Sequence, residues 1–81
     1  MRLDKFLKVS RIIKRRTVAN EACDMGRVTL NGKLAKASAE VSEGDQIEIR
    51  FGSGFLKYEV LSVRESVKKE EASAMYRVVS G

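Results

Sequence analysis

Leu3, Phe6 and Leu7 stand at i, i+3, i+4, with Asp4, Lys5 and Lys8 between them, and this spacing predicts an amphipathic helix from Leu3 to Val9. Val18, Ala19, Ala22 and Cys23 repeat the pattern. Thr17 stands where it can cap that second helix, and Gly26 supplies the left-handed residue that ends many helices, so the prediction is residues 17–25. Ser10 to Arg16 joins the two helices, with Ile12 and Ile13 turning into the core. The period then changes from 3.6 to 2. Arg27 to Leu30 alternates and runs into Asn31-Gly32, a strong turn signal. Residues 33–40 show no period. Val41 leads through Ser42-Glu43-Gly44-Asp45 into Gln46 to Phe51, a strand with Ile47, Ile49 and Phe51 on one face. Gly52-Ser53-Gly54 breaks it. Phe55 to Val63 and Ala74 to Val79 read as a final hairpin around a loop containing Lys68-Lys69-Glu70-Glu71. The expected class is α+β: one domain over residues 1–81, with two N-terminal helices packed on a small, mostly antiparallel sheet that closes with a C-terminal hairpin.

Composition narrows the function more than the fold. At 81 residues, 43% apolar and 33% charged, the chain has the make-up of a folded globular domain. Cys23 is the only cysteine and histidine is absent, so no internal disulfide, conventional zinc site or His-dependent nucleophile can form. No cofactor and no metal are expected. Cys23 reads as a small buried hydrophobe, and Glu40, Glu43 and Asp45 as a solvated turn. The first residues lack a signal-peptide pattern and no run of 18 apolar residues occurs, so a reducing, cytoplasmic home is expected.

Charge is distributed unevenly. Residues 1–36 carry ten cations and three acids; residues 37–81 carry six cations and eight acids. A positive field confined to one part of a small fold points to nucleic-acid phosphates. Lys14-Arg15-Arg16 falls just before the second helix, where cations oppose the helix dipole unless an anion sits among them. Arg2, Lys5, Lys8 and Arg11 recur every three residues and so wind around the first helix without forming one stripe. Solvated side chains are the plainer reading of both groups. Asp4 has two readings: an i, i+4 pair with Lys8, or a carboxylate that orients a neighbouring arginine. The basic half holds one aromatic, Phe6, which helical spacing assigns to the core. Phe51, Phe55, Tyr58 and Tyr76 belong to the acidic half. The positive surface is therefore expected to read shape and phosphate position, as proteins do with folded RNA.

Four ordered blocks carry a resemblance: Arg2-Leu3-Asp4-Lys5-Phe6-Leu7, Arg16-x-x-Ala19, Gly26-Arg27-Val28-Thr29-Leu30-Asn31-Gly32 and Val41-x-x-Gly44-Asp45-x-Ile47. Over residues 2–51 the chain resembles the S-four RNA-binding domain, named after ribosomal small-subunit protein four, with residues 55–80 as a hairpin extension. It departs at Arg15, where the family usually has serine. Lys14-x-Arg16 and Lys36-Ala37-Ser38 look most like the heat-shock S-four and RqcP families, and the short C-terminus favours RqcP. That resemblance narrows the partner to structured RNA, with no DNA and no membrane expected, and implies a non-enzymatic factor of ribosome-associated quality control. It would bind rRNA and tRNA on stalled large subunits carrying peptidyl-tRNA and assist RqcH-dependent alanine tailing. The alternatives are a heat-shock-type recycling factor, a targeting module for a separate RNA-modifying enzyme, and an adaptor using the edge at Ala74 to Val79. By the resemblance, Arg2 and Arg16 are the motif arginines on RNA, with Lys5, Lys14 and Lys36 beside them. Charge and placement add Arg11, Arg15 and Arg27, while Asp4, Lys8 and Lys33 are supporting. The acidic remainder is expected to face away from RNA.

Overall fold

A computed structural model describes residues 1–80. Helix α1, Leu3–Val9, buries Leu3, Phe6 and Leu7 completely, as its spacing predicts, and it ends at Ser10. Its first amides find partners outside the helix: Leu3 and Asp4 donate to the Ala39 and Ala37 carbonyls at 2.8 and 3.1 Å. The aperiodic segment 35–41 thus closes the start of α1, a job that no local pattern advertises.

Helix α2 is Arg16–Asp24. It begins one residue before the expected start, and Thr17 lies inside the helix and not at its cap; Arg15 holds the cap position in an extended conformation without a side-chain hydrogen bond. Ala19 and Cys23 are buried against α1, but Val18 is exposed, one helical step of about 100° away from that stripe. Gly26 ends the helix at φ +72° as expected. Ile12 and Ile13, in the connector, are partly buried.

Five strands form one antiparallel sheet in the order β2-β1-β3-β4-β5: β1 Val28–Leu30, β2 Lys33–Leu34, β3 Gln46–Phe51, β4 Gly54–Val60 and β5 Tyr76–Ser80. Asn31 and Gly32, both at positive φ, turn the chain between β1 and β2, as a tight hairpin requires. The Asn31 side chain accepts the Gln46 backbone N–H on Oδ1 at 2.9 Å and donates from Nδ2 to Asp45 Oδ1 at 3.1 Å, tying this turn to β3. Ile47 and Ile49 enter the core, whereas Phe51 has passed its edge and is exposed.

The C-terminal part differs from the expected hairpin. β4 ends at Val60, short of Val63, and a 3-10 helix at Lys69–Met75 fills the charged loop, delaying β5 to Tyr76. Ala72 and Met75 are buried, so apolar anchors fold the loop down despite its four charges. The core lies between the helices and the inner face of the sheet, built from Leu3, Phe6, Leu7, Val28, Val41, Ile47, Ile49, Val60 and Met75.

Candidate nucleic-acid interface

Asp4 sits in the first turn of α1 facing α2, and is only 2% exposed. A buried carboxylate needs partners for both oxygens. Arg2 supplies Nε to Oδ1 at 3.2 Å and Nη2 to Oδ2 at 3.3 Å. Arg16 donates Nη2 to Oδ1 at 3.4 Å, Asn20 donates Nδ2 to Oδ2 at 3.3 Å, and the Lys5 amide donates to Oδ1 at 2.8 Å. Burial pushes the Asp4 carboxyl upward, but the hydrogen bonds from Arg2, Asn20 and Arg16 outweigh it, so its pKa falls below the usual carboxylate value. The group is therefore an anion at neutral pH.

The consequence lies on the arginines. Their side chains remain 50% and 47% exposed: Arg2 is held along one edge by Nε and Nη2 and Arg16 by Nη2 alone, and their other N–H groups have no protein partner among the described residues. The pair Asp4–Lys8 does not form; the carboxylate is taken up by Arg2, Arg16, Asn20 and the Lys5 amide. Of the two readings of Asp4, the orienting one matches the geometry.

A shallow groove runs along this side of α2. One stretch is lined by Asp4, Arg16, Thr17, Asn20 and Glu21, and the next by Asn20, Arg2, Cys23, Asp24, Lys36 and Ser38. Arg2, Arg16 and Lys36 are thus brought together from three separate parts of the chain. Asn20 is the residue that sequence reasoning missed. Its signal was its place one turn after Arg16, beside the Ala19/Cys23 stripe. Cys23 borders the groove as a thiol: burial, then the charges of Asp4 and Asp24, push it up to about 11.

The other cations go elsewhere. Lys5 pairs with Glu65, whose carboxyl is lowered by that hydrogen bond. Lys8 and Arg11 line a separate hollow with Glu65, Ser66 and Val67. Arg11 takes φ +64°, an uncommon conformation for a residue with a Cβ. Lys14 and Arg15 are exposed in the connector that feeds the start of α2, Lys33 is exposed on β2, and Arg27 is exposed just before the start of β1. The cations thus form a groove cluster, a ledge beside Glu65 and isolated members, in keeping with the winding that their spacing predicted. Among the described residues no group of His, Cys, Asp and Glu is arranged to hold a metal ion, and no helix is long and apolar enough to cross a membrane.

The two helices, the turn-linked strands and the arginine motif define an S4 domain protein, and residues 1–47 match the S4 domain family. The RQC P-site tRNA stabilizing factor of Halalkalibacterium halodurans is 59% identical over 78 residues, covering 96% of this chain and 89% of that protein. The factor of the same name from Bacillus subtilis is 52% identical over 79 residues, covering 98% and 92%. The chain belongs to this RqcP family within the S4 domain proteins. Among solved structures, heat shock protein 15 of Vibrio cholerae, described as trimeric, superposes with a TM-score of 0.88 at 32% identity over 98% of this chain and 81% of that one.

Proposed function

We propose that this chain is a non-enzymatic RNA-binding factor of ribosome-associated quality control that steadies P-site tRNA on stalled large subunits carrying peptidyl-tRNA. The observation that carries this reading is the buried Asp4 carboxylate holding Arg2 and Arg16 half-exposed. A flexible arginine loses rotamer freedom when it meets a phosphate, and a guanidinium already fixed on a carboxylate loses less. Lys36 stands across the groove from Asn20, adding a third cation to the same phosphate path. Lys8, Arg11, Lys14 and Arg15 lie outside this groove, which lets one small protein contact two RNA segments, rRNA and tRNA. Holding both favours the bound state by mass action without any covalent step. In this reading the chain supports RqcH-dependent alanine tailing by keeping the tRNA in place.

The names of the relatives and the clamp together support this reading. The test is a ribosome gradient with detection of peptidyl-tRNA. Wild-type protein is expected to co-migrate with obstructed large subunits, and Arg16→Ala to leave them. Migration with vacant precursor particles overturns the reading. The resemblance to heat shock protein 15 favours a second one, recycling of obstructed subunits. It is separated by tail length: loss of a tailing factor shortens alanine tails, whereas loss of a recycling factor leaves tails intact and lets obstructed subunits accumulate.

A further inference from the structure

The pairing of β1 with β3 places Val28 opposite Ile49, and the next step of the same register sets Arg27 opposite Arg50. The Arg50 amide donates to the Arg27 carbonyl at 2.9 Å, which holds the two backbones side by side. On the other side of β3, Arg50 is opposite Phe55. Val28 and Ile49 point into the core and Leu56 packs against it, so alternation puts Arg27, Arg50 and Phe55 on the outer face in one row across three strands.

Two features of this row ask for a ligand. Like charges directly opposite one another on neighbouring strands destabilise a sheet. Among the described residues no carboxylate pairs with Arg27, and Arg50, 71% exposed, reaches only Glu48 at 3.8 Å. Elsewhere on this face charge is balanced, with Glu48 opposite Lys57 and Arg77 bonded to Glu59 at 2.7 Å. Beside the unbalanced pair, Phe55 is 43% exposed and has no partner ring, so its π-face is open to a ligand that the guanidiniums hold. An anion between the guanidiniums and a flat π-system on Phe55 would satisfy both, and a nucleotide carries both.

We infer that the Arg27–Arg50–Phe55 row is a second RNA contact that takes one unpaired nucleotide, its phosphate between the arginines and its base stacked on Phe55. This rests on the reading of the chain as an RNA-binding factor, and it adds single-strand recognition to the shape-reading groove. Arg27 follows the C-terminal end of α2 and Arg16 opens that helix, whose length is on the order of 14 Å, so the row is a contact apart from the groove. It also differs from the expectation that the sheet turns away from RNA, because the register carries Arg27, from the basic half, to the aromatics of the acidic half.

The test uses the full chain and a fluorescein-labelled ten-nucleotide single-stranded RNA, read by anisotropy. Phe55→Leu keeps apolar volume without a π-face and is expected to weaken binding about tenfold with an unchanged salt slope and melt, while Phe55→Tyr binds as wild type. Arg27→Ala combined with Arg50→Ala is expected to weaken binding and flatten the salt slope by about 0.7 to 1.4. Phe55→Leu is expected to cost the same factor in oligonucleotide affinity in an Arg16→Ala background, since the second contact is separate. Wild-type affinity in Phe55→Leu overturns the inference. So does loss in Phe55→Leu of an RNase-resistant protein partner with RNA binding intact, which assigns the row to a protein. Failure of wild-type protein to bind obstructed large subunits would instead strike the proposed function, whatever the oligonucleotide result.

Discussion

The two sides of α1 carry similar charge in very different settings. On one side Arg2, joined by Arg16 from α2, is bound to a carboxylate that is almost wholly buried. On the other, Lys5 meets the exposed carboxylate of Glu65, with Lys8 and Arg11 nearby. The first arrangement fixes planar five-donor groups in place; the second pairs a flexible ammonium with an equally mobile acid, an interaction worth little in water. Counting cations makes the two sides equal. Pre-organisation makes the groove the stronger candidate for specific RNA contact and the ledge a source of field.

Asp4→Asn bears hardest on this comparison. It keeps shape but removes the anion, so the fold should lose about 2 kcal/mol, the usual scale of hydrogen bonds to a charged group, and melt lower by roughly 10 °C. Net charge becomes more positive, so if charge alone governed affinity, RNA would bind more tightly. The clamp requires weaker binding, and a filter-binding titration on large subunits decides between the signs. The same carboxylate sets a pH dependence. Because its pKa is lower folded than unfolded, its stabilisation is present above the ordinary value of 3.8 and is lost as pH falls through the folded value. Melts of the wild type should therefore approach those of Asp4→Asn in acid, and a constant gap between the two curves would remove the clamp from the stability argument.

Arg16→Ala comes next. Its guanidinium is half-exposed, so stability should change by less than about 1 kcal/mol while large-subunit affinity drops about tenfold. Equal loss from Lys5→Ala would erase the distinction between the two sides. Arg11→Gly probes the ledge from the backbone. Glycine accepts φ +64° without penalty, so stability should rise by a few tenths to about 1 kcal/mol even as one cation is lost, and a lower melt would show that the side chain itself holds the turn. The smallest effect belongs to Glu65→Gln. It frees Lys5, leaves the melt unchanged and steepens the salt slope by about 0.9 if Lys5 then finds a phosphate. A slope that stays the same confines Lys5 to the protein surface.

Much of the fold was legible because its signals are local. Helical spacing located α1 and α2, Gly26 and Asn31-Gly32 located the stops between elements, and alternation located β3. The misses share a cause. β2 is two residues long, too short to show a period, and the 3-10 helix buries only Ala72 and Met75 among charged residues, so its two apolar anchors do not recur often enough to mark an element. Thr17 had the chemistry of a cap, but α2 starts at Arg16, which brings the guanidinium to Asp4.

By itself, then, the sequence determined the α+β class, the positions of the main helices and strands, the burial of Phe6 and Cys23, and the basic character of the first 36 residues. Those properties follow from periodicity, turn chemistry and charge, which act over a few residues. Only the tertiary structure decided how the cations are used. Asp4 meets Arg16 and Asn20 across 12 and 16 residues. The segment carrying Lys36 reaches Arg2 because its neighbours close the start of α1, and strand register alone sets Arg27 beside Arg50 and Phe55. Side chains far apart in sequence acquire a common geometry only when the core between them has packed.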